Sequence, residues 1–211
     1  MKLKAFEVGM LQSNVYVFYE EESGEAVCFD AGDEADRILG FLKEKNLKLS
    51  YLILTHGHCD HIGAAQKIRE ATGAKILIHK EDVEMIADAN INMSESIGVG
   101  KVEFREDGVI EDGDTLDALG HTMAFIHTPG HTKGSVCIEF GPYLVTGDTL
   151  FQRSIGRTDF YGGSMRQMYY SLIKLGSMNP DLIVLPGHGP ASTIGEEKRH
   201  NMYMVKACMD K

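Results

Sequence analysis

The chain of 211 residues carries 31 acidic and 21 basic side chains, and its formal net charge of −10 disfavours binding to nucleic acid and anionic membranes. A hydrophobic fraction of 43% and 23 glycines are typical of a globular protein rich in loops. Residues 1–7 contain no apolar stretch long enough for a signal peptide, and no run elsewhere reaches membrane length. We therefore expect one cytoplasmic globular domain over residues 1–211.

In the first half of the chain, predicted strands alternate with predicted helices. Short apolar runs bounded by polar or glycine-containing turns predict the strands, and apolar residues at helical spacing predict the helices. Residues 90–100 have no periodicity, so we expect a loop near a site. The predicted strands are 6–9, 14–19, 26–30, 49–55 and 75–79. One predicted helix begins at an N-cap at Asp33, a second covers about 61–71, and a third covers 80–88 at the surface.

The second half roughly repeats this order of elements. Two sheets with helices on their outer faces would bury all of these apolar faces, so the pattern predicts an α+β fold with four layers, αββα. Within the first helix of this half, Met165, Met168, Tyr169 and Leu172 share one face and are expected to pack in the core. The predicted strands are 102–104, 115–119, 123–127, 135–140, 143–146 and 182–185, and the predicted helices are 164–175 and about 195–209.

Residues 56–61 read His-Gly-His-Cys-Asp-His and follow a predicted strand directly. This density of imidazole and carboxylate groups suits zinc, iron or manganese, and Gly57 leaves the backbone free to turn ligands inward. Three further candidates stand at or just past the ends of apolar runs, where α/β enzymes collect catalytic groups. Seven ligands are too many for one ion and suit two ions that share an aspartate. They are His56, His58, Asp60, His61, His131, Asp148 and His188.

The HxHxDH motif of residues 56–61, followed by the three later ligands, resembles the metallo-β-lactamase superfamily. Residues 154–160 and 193–199 are similar to the short bacterial glyoxalase II-like hydrolases of that superfamily. The resemblance implies an αββα sandwich with the metal site at one edge, between the two sheets. It also implies that His56, His58 and His131 hold the first ion, that Asp60, His61 and His188 hold the second, and that Asp148 bridges them.

The chemistry that the resemblance implies is hydrolysis of a small-molecule acyl thioester of the hydroxyacylglutathione kind. Two divalent ions, zinc with iron or manganese as alternatives, would share a hydroxide that attacks the acyl carbonyl. Asp60 and Asp148 are then the catalytic carboxylates. Only residues 189–211 follow the last predicted ligand, so we do not expect the helical C-terminal domain that contributes glutathione contacts in the best understood member, and the thiol is left open.

Two other functions compete with thioester hydrolysis. Residues 156–160, Gly-Arg-Thr-Asp-Phe, are also similar to the mononuclear iron persulfide dioxygenases. A scaffold that uses metal only to hold its sheets together is the third hypothesis, which we disfavour because structural sites usually close their coordination with four protein ligands.

Several residues near the predicted ligands have weaker signals. Asp30, at the end of a strand, is a candidate acceptor for the second ring nitrogen of a ligand histidine. Cys59 should point away from the metals, because alternate residues of an extended loop point apart. Arg153, Arg157 and Tyr161 are candidate substrate contacts, and His79, His121, His127 and His200 are expected to be structural.

Overall fold

The computed structural model describes residues 1–98 and 100–209, and its elements are numbered here in chain order. The strands are β1 (Lys2–Val8), β2 (Ser13–Glu20), β3 (Glu25–Phe29), β4 (Lys48–Ile53), β5 (Lys75–His79), β6 (Gly108–Ile110), β7 (Thr115–Ala118), β8 (His121–His127), β9 (Val136–Phe140), β10 (Tyr143–Gly147), β11 (Ile183–Pro186) and β12 (Ser192–Thr193). The helices are α1 (Ala35–Glu44), α2 (Cys59–Ile62), α3 (Ala65–Thr72), α4 (Val83–Ile86), α5 (Met165–Gly176), α6 (Ile194–His200) and α7 (Met202–Met209).

The strands form two six-stranded sheets. The first has the order β1-β2-β3-β4-β5-β6, antiparallel from β1 to β3 and parallel from β3 to β6. The second has the order β12-β11-β10-β9-β8-β7, in which β10 and β11 form the parallel pair. Parallel neighbours need a crossover connection, and the crossovers include α1, α3 and α5.

Three apolar layers lie between the sheets and the helices. Alternate residues of β2 divide between two of them, since Val15 and Val17 pack under the helices of the first sheet while Phe18 packs between the sheets. The Phe18 ring lies 5.4 Å from that of Phe29 and 5.3 Å from that of Phe140, across the sandwich. A third layer joins α5 and α7 to the second sheet. The predicted α+β, four-layer arrangement is confirmed.

Three predicted helices have different boundaries. Asp33 is not the N-cap of α1, because Glu34 takes that position with a φ of 53° and donates its backbone N–H to Asp33 Oδ1. The helix predicted over 61–71 is two helices, since Ala64 N–H donates to Ala31 O across the break. The helix predicted over 195–209 breaks at buried Asn201, whose amide donates to Ser154 O and to Glu197 Oε2.

Other predictions for single elements were also wrong. Residues 102–104 form no strand, and the strands β6 and β12 were not predicted because runs of two or three residues show no periodicity. The surface helix over 80–88 is a 3-10 turn followed by the four-residue α4, in which Met85 is buried. Met165 is 40% exposed, whereas Met168 of the same predicted stripe is buried. In the part of the chain that is described, no helix is both long and apolar enough to cross a bilayer.

We expect Phe18→Ala to lower the free energy of unfolding by about 3–5 kcal/mol, because it removes the central ring between the two sheets. Tyr170→Ala is the control, since this side chain is 60% exposed and its loss should cost at most about 0.5 kcal/mol. Urea unfolding of both variants measures the difference, and equal losses would contradict this account of the core.

Candidate metal centre

Four loops bring the seven predicted ligands together at one edge, between the two sheets. His56 follows β4, and residues 58–61 run into the short helix α2. The other three candidates, His131, Asp148 and His188, follow β8, β10 and β11 respectively. Within each of three groups, the ligand atoms lie within 4.8 Å of one another: His56, His58 and His131; His56, His61 and Asp148; Asp60, His61 and His188.

The first group consists of three imidazoles. His58 Nδ1 lies 2.8 Å from His131 Nε2, and the ring centroid of His56 lies 4.9 Å from that of His58 and 4.7 Å from that of His131. All three residues are buried. These atoms are close enough to share one ion.

The group of Asp60, His61 and His188, called the second ligand group below, combines two imidazoles with a carboxylate. His188 Nε2 lies 3.3 Å from His61 Nε2 and 3.1 Å from Asp60 Oδ2. Asp148 stands between the two groups, since its Oδ2 lies 3.5 Å from His131 Nε2 and 3.8 Å from His188 Nε2. The structure therefore brings together every predicted ligand, with the aspartate expected to be shared in the middle.

In four of these histidines, the Nδ1 atom, which points away from the cluster, faces an oxygen acceptor. The Nδ1 of His131 faces Arg157 O at 2.7 Å, and the Nδ1 of His188 faces Gln12 O at 3.3 Å. In the same way, the Nδ1 of His56 faces the hydroxyl of Thr55 at 3.1 Å. An Nδ1–H that donates outward leaves the Nε2 lone pair directed into the cluster, as a metal ligand requires.

Asp30 orients histidines of both groups. Its Oδ2 accepts from His61 Nδ1 and from the Thr55 hydroxyl, each at 2.8 Å, and its Oδ1 accepts from Thr55 N–H at 2.8 Å. The same hydroxyl faces His56, so one buried carboxylate fixes His61 directly and His56 through Thr55. The contact expected between Asp30 and a ligand histidine is observed.

Atoms without partners indicate what the cluster would bind. His56 Nε2 and Asp148 Oδ1 are buried and make no hydrogen bond within the described residues, although Asp148 Oδ1 lies 3.3 Å from His61 Nε2. Buried nitrogen and oxygen donors of this kind are costly unless a cation satisfies them. Gly187 leaves room beside them, because a Cβ there would stand 2.2 Å from Asp148 Oδ1. The donor set thus fits divalent metal ions.

The pKa values in the cluster also favour cation binding. Burial lowers the pKa of His58 to about 3, with a further contribution from His131, and burial lowers the pKa of His56 well below its usual value. These rings are therefore neutral near pH 7 and offer lone pairs. Burial also opposes charge on His61, but Asp60, Asp148 and Asp30 together raise its pKa. The carboxylates therefore stabilise positive charge at the centre of the cluster.

Asp82 is a functional candidate that the sequence analysis missed. It is fully buried and accepts three hydrogen bonds: from Gly57 N–H at 3.1 Å, from the Thr132 hydroxyl at 2.7 Å, and from Gly134 N–H at 2.6 Å. It thereby joins the loop of His56 and His58 to the loop of His131. Asp82 lies three residues after the end of β5, and its burial, which distinguishes it from the exposed Glu81 beside it, cannot be read from the sequence.

Gly57 has a different role from the one expected. Its φ is not positive, so the turn needs no glycine for its backbone conformation. A Cβ at this position would stand 2.5 Å from Met85 Cβ, so glycine is needed for the close approach of α4 to the ligand loop.

The cluster lines a cavity of about 630 Å³, called the cluster cavity below, together with Leu11, Met93, Ile97, Phe151, Ile155 and Phe160. Of the three candidate substrate contacts, Arg157 lines this cavity. Arg153 and Tyr161 lie outside its lining, and the Tyr161 hydroxyl donates to Glu84 at 2.8 Å. Met93 and Ile97 come from the segment that was expected to be a loop near a site.

The remaining candidates lie outside the ligand groups. The Cys59 thiol belongs to none of them, and burial raises its pKa to about 11, so it stays protonated at neutral pH. His79 and His127 stack on each other with ring centroids 4.0 Å apart, away from the cluster. His121 and His200 are exposed.

The chain has two mixed sheets between layers of helices and a histidine and aspartate cluster at one edge. It therefore belongs to the class of α+β sandwich proteins with a metal-binding edge. A family model described as the metallo-beta-lactamase superfamily matches residues 8–188. The chain therefore belongs to the metallo-β-lactamase superfamily.

Individual members of this superfamily are similar to the chain over nearly its whole length. The chain is 34% identical to hydroxyacylglutathione hydrolase GloC of Haemophilus influenzae, over 97% of this chain and 98% of that protein. Its fold matches the crystal structure of the BLEG-1 B3 metallo-beta-lactamase with a TM-score of 0.91 and 33% identity, over 97% of this chain and all of the other. It also matches TTHA1623 in a di-iron-bound form, with a TM-score of 0.84 and 30% identity, over 95% and 99% of the two chains.

A further solved structure, ETHE1 from Myxococcus xanthus, matches with a TM-score of 0.81 and 28% identity, over all of this chain and 89% of the other. The family, the relatives and the ligand groups together support a metal-dependent hydrolase with a site for divalent ions.

We expect Asp30→Asn to weaken metal binding by about 10- to 100-fold, because an amide cannot accept all three of the hydrogen bonds that orient His61 and Thr55. Metal titration with a competing chelator measures the affinity. Asp181→Asn, an exposed change of the same chemistry, is the control and should leave the affinity unchanged.

We expect Asp82→Asn to lower the unfolding free energy of the metal-free protein by about 1–3 kcal/mol, because the new amide N–H₂ would face a buried donor. Glu81→Gln changes the neighbouring exposed acid and should have almost no effect. Urea unfolding in the presence of a chelator measures both. A loss as small as that of the control would mean that Asp82 does not join the two loops.

Proposed function

We propose that the protein hydrolyses acyl thioesters with a binuclear metal centre. His56, His58 and His131 would hold one ion, Asp60, His61 and His188 the other, and Asp148 would contact both. The observation that carries this proposal is the convergence of two complete ligand groups around one aspartate. The similarity to hydroxyacylglutathione hydrolase GloC supports the thioester as substrate.

Divalent ions bound in this cluster would supply a water deprotonated near neutral pH and a Lewis acid for a carbonyl oxygen. The protein's part is to orient the ligands through Asp30, Arg157 O and Gln12 O, and to exclude bulk water with the apolar walls of the cluster cavity. In the reaction, the oxygen of water bonds to the acyl carbon and the C–S bond breaks. The products are a carboxylic acid and a thiol, so no oxidant or reductant is needed.

Zinc is the metal that we propose, because nitrogen and carboxylate ligands in this arrangement suit it. Iron and manganese accept the same donors, and the similarity to TTHA1623 in its di-iron-bound form supports iron as the alternative. Elemental analysis of protein produced without added metal distinguishes the three.

The second candidate function is that of a mononuclear iron dioxygenase acting on persulfides. The similarity to ETHE1 and the stretch of residues 156–160 favour it. It requires only one ion per chain, and it consumes oxygen.

We expect zinc-loaded protein to contain two ions per chain and to hydrolyse thioesters without oxygen uptake. Asp148→Ala should lower the rate by more than the roughly 10- to 100-fold expected for loss of a residue that only orients a ligand, because it removes the group common to both ions. Asp117→Ala, an exposed change on β7, is the control. One iron per chain together with oxygen consumption would favour the dioxygenase, and no turnover of any thioester would contradict the hydrolase.

A further inference from the structure

A second cavity of about 360 Å³, which we call the side groove, adjoins the cluster cavity. The side groove lies between the tip of the β1–β2 hairpin and the residues around Ile97, and its lining includes Val8, Met10, Gly32, Asp33, Gly98 and Val102. Leu11, Cys59, Asp60 and Ile97 line both cavities. A substrate with its reacting carbonyl at the cluster therefore has room for one arm in the cluster cavity and another in the side groove.

The surfaces that these two arms would contact are mainly apolar. In the cluster cavity, Phe151, Ile155 and Phe160 form one wall. Towards the side groove, Leu11 and Ile97 stand on the shared boundary, and Leu11 is 53% exposed although it is a large apolar residue. Apolar groups of a ligand would gain free energy by covering these side chains.

The charged side chains that line the two cavities are acidic, except for Arg157, which is paired. Asp33 is exposed and lines the side groove, and none of the described residues that line this groove is basic. Arg157 is the one lysine or arginine in the described lining of the cluster cavity. Its guanidinium donates to both carboxylate oxygens of Asp159, at 2.9 and 2.7 Å, and stacks 4.0 Å from the centroid of Phe160.

Arg37 does not line the side groove, and it is paired as well. Arg37, on the first turn of α1, donates to Glu34 at 2.9 Å and to Glu7 O at 3.0 Å. A carboxylate on either arm of a substrate would find no cation except Arg157 in the described lining, where it would compete with Asp159, and near Asp33 it would meet a like charge.

We infer that the preferred substrate is an acyl thioester with apolar arms and no negative charge on either its acyl or its thiol half. This inference rests on the proposed thioester hydrolysis and narrows it. Glutathione carries two carboxylates and one ammonium group, so its thioesters fit the cavities less well than thioesters of an uncharged thiol.

The test uses zinc-loaded full-length protein and substrates that differ in one half at a time. With a lactoyl group as the common acyl half, we expect kcat/KM for the N-acetylcysteamine thioester to exceed that for the glutathione thioester by about tenfold or more at low salt. With N-acetylcysteamine as the common thiol, we expect kcat/KM for the octanoyl thioester to exceed kcat/KM for the succinyl thioester by a similar factor. Added salt should reduce both differences, because it screens the repulsion.

Asp33→Asn provides a residue-specific test, because Asn keeps the oxygen that accepts from Glu34 N–H and removes only the charge. We expect this variant to lower the ratio of kcat/KM for the neutral thiol over the glutathione thiol by about two- to fivefold at low salt. Asp36→Asn is the matched control, since its side chain is 84% exposed and does not line the side groove. The control should leave the ratio unchanged.

The outcomes separate the inference from the proposed function. Hydrolysis of the glutathione thioester as fast as, or faster than, that of the neutral thioester would overturn the inference and leave the hydrolase intact. No hydrolysis of any member of the series would overturn the proposed function itself.

Discussion

The hydrogen bonds of Asp30 are the constraint on which the site depends. A buried carboxylate is stable only when its oxygens are satisfied, and here three donors from Thr55 and His61 satisfy them. Because Thr55 in turn faces His56, the rotation of a histidine in each ligand group is fixed by one residue. Asp30 has a φ of 58°, which is unfavourable for residues other than glycine. The surrounding hydrogen bonds maintain this conformation.

The two sheets contribute complementary parts of the cluster. The first sheet supplies Asp30 and the loop of residues 56–61, and the second supplies the loops of His131, Asp148 and His188. Two buried residues join these parts. Asp82 accepts hydrogen bonds from both loops of the first ligand group, and Asn14 donates to Pro186 O and Gly189 O beside His188. Neither sheet alone can form the site, since each ligand group takes residues from both.

The sequence predicted the fold class and all seven clustered residues, because the ligands stand in short motifs at the ends of apolar strands. A strand as short as β6, with the sequence Gly-Val-Ile, carries no such pattern, and its pairing depends on a neighbour, Leu77 of β5 in this case. The helix break at Asn201 and the role of Asp82 depend on hydrogen bonds to residues distant in the chain, which no local pattern encodes. Exposure of Met165 likewise follows from the position of α5 on its sheet, not from helical spacing.

The order of the ligands along the chain has a consequence for biosynthesis. Residues 56–61 leave the ribosome well before His131, Asp148 and His188 have been translated, so the nascent chain exposes three imidazoles and a carboxylate without their partners. An ion bound at that stage would have four of the seven predicted ligands available to it. Correct metallation is therefore expected to follow translation of the C-terminal loop, when β2 closes against Gly187 through Asn14 N–H.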